Sequence, residues 1–146
     1  MTNDILQDNL YWNLLQVSMR AKHSLIRLAE QDDLTIMQLY TLCSMEKGQP
    51  MSMNSISCIL SCDASNVTGI VERLFTQHLI VREESLKDRR LKMITLTPQG
   101  EVLRDKILAE LQAHESSTLD SLSQAQKQQL LVLVQTALQA PVAVKK

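Results

Sequence analysis

Apolar residues return at steps of three and four between residues 5 and 30. Leu6, Leu10, Leu14, Val17, Ala21, Leu25 and Leu28 form one stripe of a predicted helix. Ile5, Leu15, Met19 and Ile26 lie off that stripe. A helix that is apolar on more than one face must bury more than one face, so this one is expected to be shared between a core and a partner subunit. Thr35 and Gln38 have the spacing of a capping box, which predicts a second helix running to about Lys47. Gly48 just beyond and Pro50 after it mark its end.

Residues 52–60 form a short candidate helix with Ile56, Ile59 and Leu60 as core positions. Ser61, Cys62 and Asp63 interrupt the pattern, and Asp63 or Ser65 is a suitable cap for the next helix. That helix is predicted to run to about Leu79 with Val67, Ile70, Val71, Leu74 and Phe75 facing inward. The period then changes. Residues 80–85 and 91–97 carry β-branched residues around a polar tip, Leu86 to Arg90, and predict a hairpin. Thr97 and Pro98 suit a cap and a first helical position for a helix over 98–119, with Val102, Ile107, Leu108 and Leu111 as its apolar residues. Ser123 and Gln126 repeat the capping-box spacing before a broad apolar face at Leu130, Leu131, Leu133, Val134, Ala137 and Leu138. Pro141 ends it, and residues 143–146 are expected to fray.

Two short helices joined by a tight turn, followed by a charged hairpin, have the order of a winged helix-turn-helix. The expected fold is mainly α, with a two-stranded wing and long helices at both ends. Composition agrees. A chain of 146 residues suits one domain, and three Gly with three Pro are too few for a turn-rich sandwich or barrel. The longest apolar runs fall short of the ~18 residues of a membrane span. The first twenty residues contain Asp4 and Asp8 and do not read as a secretory signal. Three cysteines, an odd number, fit reduced thiols, so a cytoplasmic location without membrane association is expected.

The net charge of −1 gives no support to nucleic-acid binding, but its distribution does. Residues 78–92 hold Arg82, Lys87, Arg89, Arg90 and Lys92 against Glu83, Glu84 and Asp88, a local excess of +2. Phosphates respond to such a patch because salt screens charges beyond roughly 10 Å. Before it, the helix from Asp63 opens with Ser65, Asn66, Thr68 and Gly69. Small polar residues at a helix start are able to reach base edges in a major groove, and a threonine methyl is able to touch a thymine methyl. The same residues also suit a plain capped surface helix. Arg89 and Arg90 at the hairpin tip supply the cations a narrow minor groove favours, although a charged turn needs no such role. Asp88 beside them is expected to anchor an arginine or to pair with Arg73.

Together these residues resemble the MarR family of multiple-antibiotic-resistance-type regulators. The resemblance is carried by Val67-Thr68, Glu72-Arg73-Leu74, Leu79-Ile80-Val81-Arg82, Asp88-Arg89-Arg90, and Leu96-Thr97 with Gly100. The flanking helix pattern agrees from about residue 5 to 140. The resemblance implies a homodimer whose N- and C-terminal helices interlock. In that scheme residues 1–146 form a single domain, with the winged helix-turn-helix over about 32–97 and helical dimerisation regions at 1–31 and 98–146. It implies a repressor that reads a palindromic double-stranded operator. Ser65, Asn66, Thr68 and Gly69 match recognition-helix positions, and Asp88 and Arg90 match the wing motif, with Arg90 as the minor-groove residue. Arg73, Lys87 and Arg89 complete the expected DNA-binding set. One departure stands out: members often have Gly near the end of the recognition helix, where this chain has His78.

The resemblance also directs attention to effectors. Some relatives sense oxidants through cysteine; Cys62, just before the recognition helix, and Cys58 four residues earlier are the redox candidates, although free cysteine is commonly a core residue. Related regulators bind small phenolic or amphipathic ligands, and Trp12, His23 and Tyr40 are candidates for such a pocket beside their ordinary role in packing. His23, His78 and His114 lack metal-ligand spacing, and no phosphate loop or catalytic constellation is present, so neither a metal, a cofactor nor an enzyme is expected. Two other readings compete: a winged-helix protein-interaction module that never touches DNA, and a cysteine-based redox protein.

Overall fold

The computed structural model describes residues 6–88, 90–113 and 119–139. The expectations for Ile5, Arg89, His114, Pro141 and residues 143–146 lie outside them. Six helices and three strands are described: α1 (Leu10–Glu30), α2 (Ile36–Ser44), β1 (Met51–Ser52), α3 (Met53–Leu60), α4 (Ala64–Thr76), β2 (Ile80–Glu84), β3 (Lys92–Leu96), α5 (Pro98–Ala113) and α6 (Gln124–Gln139). The chain divides into two compact units, one of Lys22–His114 and one of Met1–Ala21 with Glu115–Lys146.

The core of the first unit forms where the periodic apolar residues of its elements converge. Leu39 and Leu42 of α2, Ile56 and Leu60 of α3, Val67, Val71 and Leu74 of α4, Ile80, Ile94 and Leu96 of the sheet, and Ile107 of α5 are all buried there. Met45, just past α2, is fully buried with them. The sheet has strand order β1-β3-β2 and is antiparallel throughout. The two strands of the expected wing, β2 and β3, are thus joined by a third that was not expected. Met51 pairs with Ile94 and Ser52 with Met93. This edge strand is two residues long, too short to leave a periodic signal.

Both capping boxes form as expected. The Gln38 amide donates to Thr35 Oγ1 at 3.3 Å while Thr35 N–H donates to Gln38 Oε1 at 2.8 Å. Ser123 and Gln126 exchange the corresponding bonds at 3.3 and 2.9 Å ahead of α6. Helix ends differ more. α2 stops at Ser44 rather than near Lys47, and α4 stops at Thr76 rather than near Leu79. The reason for the second is visible. His78 adopts φ +59°, its N–H donates to Phe75 O, and Leu79 N–H donates to Leu74 O. These are the two bonds of a Schellman motif, with His78 in the left-handed position that glycine usually fills.

α5 is set against the hairpin by close backbone approach. Thr97 N–H donates to Leu79 O at 3.0 Å and Thr97 Oγ1 donates to His78 O at 2.7 Å. Gly100 N–H in turn donates to Thr97 Oγ1. A Cβ on Gly100 would stand 1.9 Å from the Leu79 carbonyl oxygen, so only glycine fits there.

In the second unit, Tyr11, Leu14, Leu15, Val17 and Met19 of α1 and Leu131, Val132, Leu133, Val134 and Leu138 of α6 are exposed in the single chain. No residue of α6 is buried. Apolar faces this broad lack a complete core of their own, as the two-faced pattern of residues 5–30 foreshadows.

Candidate nucleic-acid interface

α3 and α4 form the helix-turn-helix. Ser52 caps α3, accepting from Ser55 N–H at 3.1 Å. Ser61 then takes a left-handed conformation, φ 50°, which turns the chain within one residue. Ser57 Oγ donates to Cys62 O at 2.6 Å and closes the turn. Asp63 occupies the N-cap of α4 with extended backbone, but its carboxylate makes no capping bond, and Ser65 lies inside the helix. The expected side-chain cap is therefore absent, and the first amides of α4 are not covered by it. Such amides favour a nearby anion.

Val67, Val71 and Leu74 hold one face of α4 in the core. The faces left outside carry Ser65, Asn66, Thr68, Gly69 and Arg73, all exposed. Thr68 Oγ1 donates to Ala64 O at 2.9 Å, which fixes the hydroxyl while leaving the side chain on the surface. A Cβ on Gly69 would meet nothing within 4 Å. Neither packing nor backbone conformation requires glycine there, so its effect is a smooth, close-approach surface in the middle of the helix. A groove of about 220 Å³ runs beside it, walled by Thr35 and Gln38 on one side and by Asn66, Gly69 and Arg73 on the other.

Long-range bonds hold α4 in this attitude. Gln38, almost wholly buried, donates to Gln77 Oε1 at 3.0 Å, and Gln77 Nε2 donates to Asp33 O at 3.1 Å. Arg82 of β2 bonds Glu72 of α4 at 2.6 Å and lies over the Phe75 ring, 4.8 Å from its centroid. Phe75 is consequently 43% exposed, covered by a cation instead of facing the core as its place in the apolar pattern predicted. Gln77 carries no signal in the sequence, and Glu72 and Arg82, legible there as motif and patch residues, give no sign of their mutual contact. Their partners lie ten to forty-four residues away, beyond any helical or strand period.

The wing tip is organised by its own side chains. Ser85 Oγ accepts from Lys87 and Asp88 N–H, and Asp88 Oδ1 accepts from Arg90 N–H at 3.0 Å. Asp88 thus anchors an arginine through its backbone. Among the described residues, no ion pair joins it to Arg73. Lys87, Asp88 and Arg90 are exposed, as the wing assignment requires, and Arg89 lies outside the described residues. Lys92 is held by Glu84 across the hairpin at 3.8 Å.

The effector candidates are less concentrated. Trp12 belongs to one unit and His23 and Tyr40 to the other; all three are exposed, and none lines the four described cavities. The largest of these, about 490 Å³, lies between the end of α1 and the second half of α4, bordered by Glu30, Gln38, Arg73 and Gln77. Cys58 is exposed, while Cys62 is half-buried against the core. Cys43 is half-buried too; burial pushes its thiol pKa up, partly opposed by the Arg104 charge.

α3 and α4 with their tight turn, followed by the cation-bearing β2–β3 hairpin, have the architecture of a winged helix-turn-helix. The MarR family model matches residues 34–92. The repressor MdtR of Bacillus subtilis is 26% identical over 106 residues, covering 73% of this chain and 68% of MdtR. NicR of Pseudomonas putida, also a repressor, is 28% identical over 101 residues, covering 69% of this chain but just 64% of NicR. Among solved structures, BpsR of Bordetella bronchiseptica superposes with a TM-score of 0.78 over 92% of this chain and 96% of its own, at 22% identity. Over residues 34–92 the chain matches the MarR family, and over about two thirds of its length it is similar to transcriptional repressors.

Proposed function

We propose that this chain is a homodimeric repressor that binds a palindromic operator and is released from it by a small molecule. Exposed residues on the first turns of α4 carry this reading, above all Gly69, whose missing side chain serves no packing need. Ser65, Asn66 and Thr68 read base edges in the major groove, and Gly69 lets the helix backbone seat deeply. Arg73 and Lys87 contact phosphates. Arg90, aimed by the Asp88 turn, enters the minor groove with Arg89 beside it.

The exposed apolar faces of α1 and α6 support dimerisation, since residues such as Leu10, Leu133 and Leu138 need a covering surface. Two winged units joined this way present their recognition helices about one DNA turn apart, roughly 34 Å. An effector that favours another separation releases the DNA in proportion to its preference between the two states. The regulation of BpsR's DNA binding by 6-hydroxynicotinic acid supports a small aromatic or amphipathic effector. Trp12, His23 and Tyr40 remain its proposed contacts. Oxidation of Cys62 or Cys58 is the alternative trigger, favoured by the position of Cys62 directly before the α4 cap.

The test is a salt titration on a duplex selected from a random DNA pool by the wild-type protein. Arg90→Ala is expected to weaken binding and to reduce the slope of log affinity against log salt by about one. Asn66→Ala is expected to change the selected sequence. Binding without salt dependence and without sequence preference would exclude the operator-binding reading in favour of a protein-interaction module. A single-chain mass in solution would exclude the dimer.

A further inference from the structure

Beyond the residues that face the duplex, the structure points to one that governs how they face it. β2 and β3 leave the core as they approach the wing tip. The inward face of β2 runs from Ile80, which is buried, to Arg82 and then to Glu84, which is exposed. The short third strand supports β3 only at Met93 and Ile94. Arg82, paired in register with Ile94, is therefore the last inward residue of the hairpin before it projects into solvent. Among the described residues, its pair with Glu72 is the ion pair that joins the hairpin to another element.

The contact is directional. The guanidinium lies over the Phe75 ring at 4.8 Å from the centroid and bonds Glu72 Oε2 at 2.6 Å. Both partners stand on α4, one turn apart, so stacking and ion pair together fix a plane as well as a distance. Arg82 Nε is sealed from solvent without a hydrogen-bond partner, so the stacked geometry is kept even though one donor goes unused. A pair of this exposure adds little to stability. It has a larger effect on angle. Leu86 at the tip lies four residues beyond Arg82, about 13 Å at strand rise, so a 10° tilt at Arg82 moves the tip by about 2 Å. Such a shift is enough to take an arginine out of a narrow groove.

We propose that Arg82 is a positioning residue for DNA binding, a strut that sets the angle between α4 and the wing tip without itself touching the duplex. The proposal rests on the operator-binding reading above. It assigns to a cation of the basic segment an intramolecular role that charge counting alone would give to phosphate.

The experiment measures affinity and salt slope of the full-length protein on the wild-type-selected duplex, with thermal melts confirming that each variant is folded at the assay temperature. Variants are Arg82→Met, which keeps an unbranched stem over Phe75 and removes the charge, Glu72→Gln, Arg90→Ala, and Arg82→Met combined with Arg90→Ala. Arg82→Met and Glu72→Gln are each expected to weaken binding about 10-fold at unchanged salt slope, because no phosphate contact is lost. In the Arg82→Met background the Arg90→Ala loss is expected to shrink to less than about 3-fold, a non-additivity that mere loss of stability does not produce. If Arg82→Met does not fold, Glu72→Gln alone and combined with Arg90→Ala decides the same question. A salt slope reduced by about one in Arg82→Met shows that Arg82 itself meets a phosphate and overturns the proposal. Affinity within twofold of wild type, or strict additivity with Arg90→Ala, also overturns it. Wild-type protein that selects no sequence defeats the operator-binding reading first, and is distinguished from these outcomes by the wild-type control.

Discussion

Replacing Gly69 with alanine is expected to raise stability and lower DNA affinity together. Gly69 lies inside α4, between the buried Val67 and Val71 but on the opposite, exposed face. Glycine within a helix costs roughly 0.5–1 kcal/mol relative to alanine, because the unfolded chain has more backbone freedom to lose. Since an added Cβ meets nothing within 4 Å, neither a clash nor new packing alters that figure. The net gain is therefore about 0.5–1 kcal/mol, a rise in Tm of about 2–5 °C for a chain of this size. In the proposed operator-bound arrangement, the same methyl is expected to occupy space that a groove wall needs. Displacing a helix from van der Waals contact forfeits the close contacts around it, and at least about 10-fold in affinity, or ~1.4 kcal/mol, is expected to go. Chemical denaturation read by circular dichroism gives the first quantity, and fluorescence anisotropy on a wild-type-selected duplex at fixed salt gives the second. A variant that is stabilised yet binds as tightly as wild type would refute the claim that Gly69 lies against DNA. One that is destabilised would refute the open environment from which the magnitude was worked.

Gly100→Ala should behave oppositely. Its Cβ would meet the Leu79 carbonyl oxygen at 1.9 Å, and relief requires α5 to lift from the hairpin and stretch the Thr97–Leu79 bond, so a loss of about 3 kcal/mol or more is expected in urea denaturation. An unchanged midpoint would show that the start of α5 yields freely. His78→Gly relieves left-handed strain of roughly 1–2 kcal/mol against about 0.5–1 kcal/mol of added unfolded-state entropy, so a net gain of about 0.5–1 kcal/mol is expected, with DNA affinity unaltered. Loss of stability would mean that the imidazole makes a compensating contact.

The two cross-links of α5 should mark opposite limbs of the stability–pH curve. Asp105 sits below its ordinary 3.8, chiefly through its hydrogen bond from Lys47. Its stabilisation is full above that value and is lost as pH falls through the lower folded pKa. Lys106 sits above its ordinary 10.5, chiefly through its bond to Asp32, so its contribution is full below that value and is lost as pH rises through the raised one. Asp105→Asn should flatten the acid limb and Lys106→Met the alkaline limb in denaturation measured across pH. Unaltered limbs would assign the pH dependence to other groups.

What the chain determined by itself is what residues close in sequence decide among themselves. Thr35 with Gln38, and Ser123 with Gln126, form capping boxes because three residues of helix bring each pair together. The same locality made the recognition-helix face, the hairpin tip and the two-faced first helix legible from period and charge. Only the tertiary structure decided which partner each face would meet. It added Met51–Ser52 as a third strand, because a two-residue edge exists only once β3 lies beside it. It turned Phe75 outward under Arg82, and linked buried Gln38 to Gln77 across thirty-nine residues. It also kept Asp88 within its own turn instead of sending it to Arg73. A hydrophobic period specifies a direction around an axis. The neighbour found in that direction depends on how distant segments pack, and so do the contacts that aim the recognition helix and its wing.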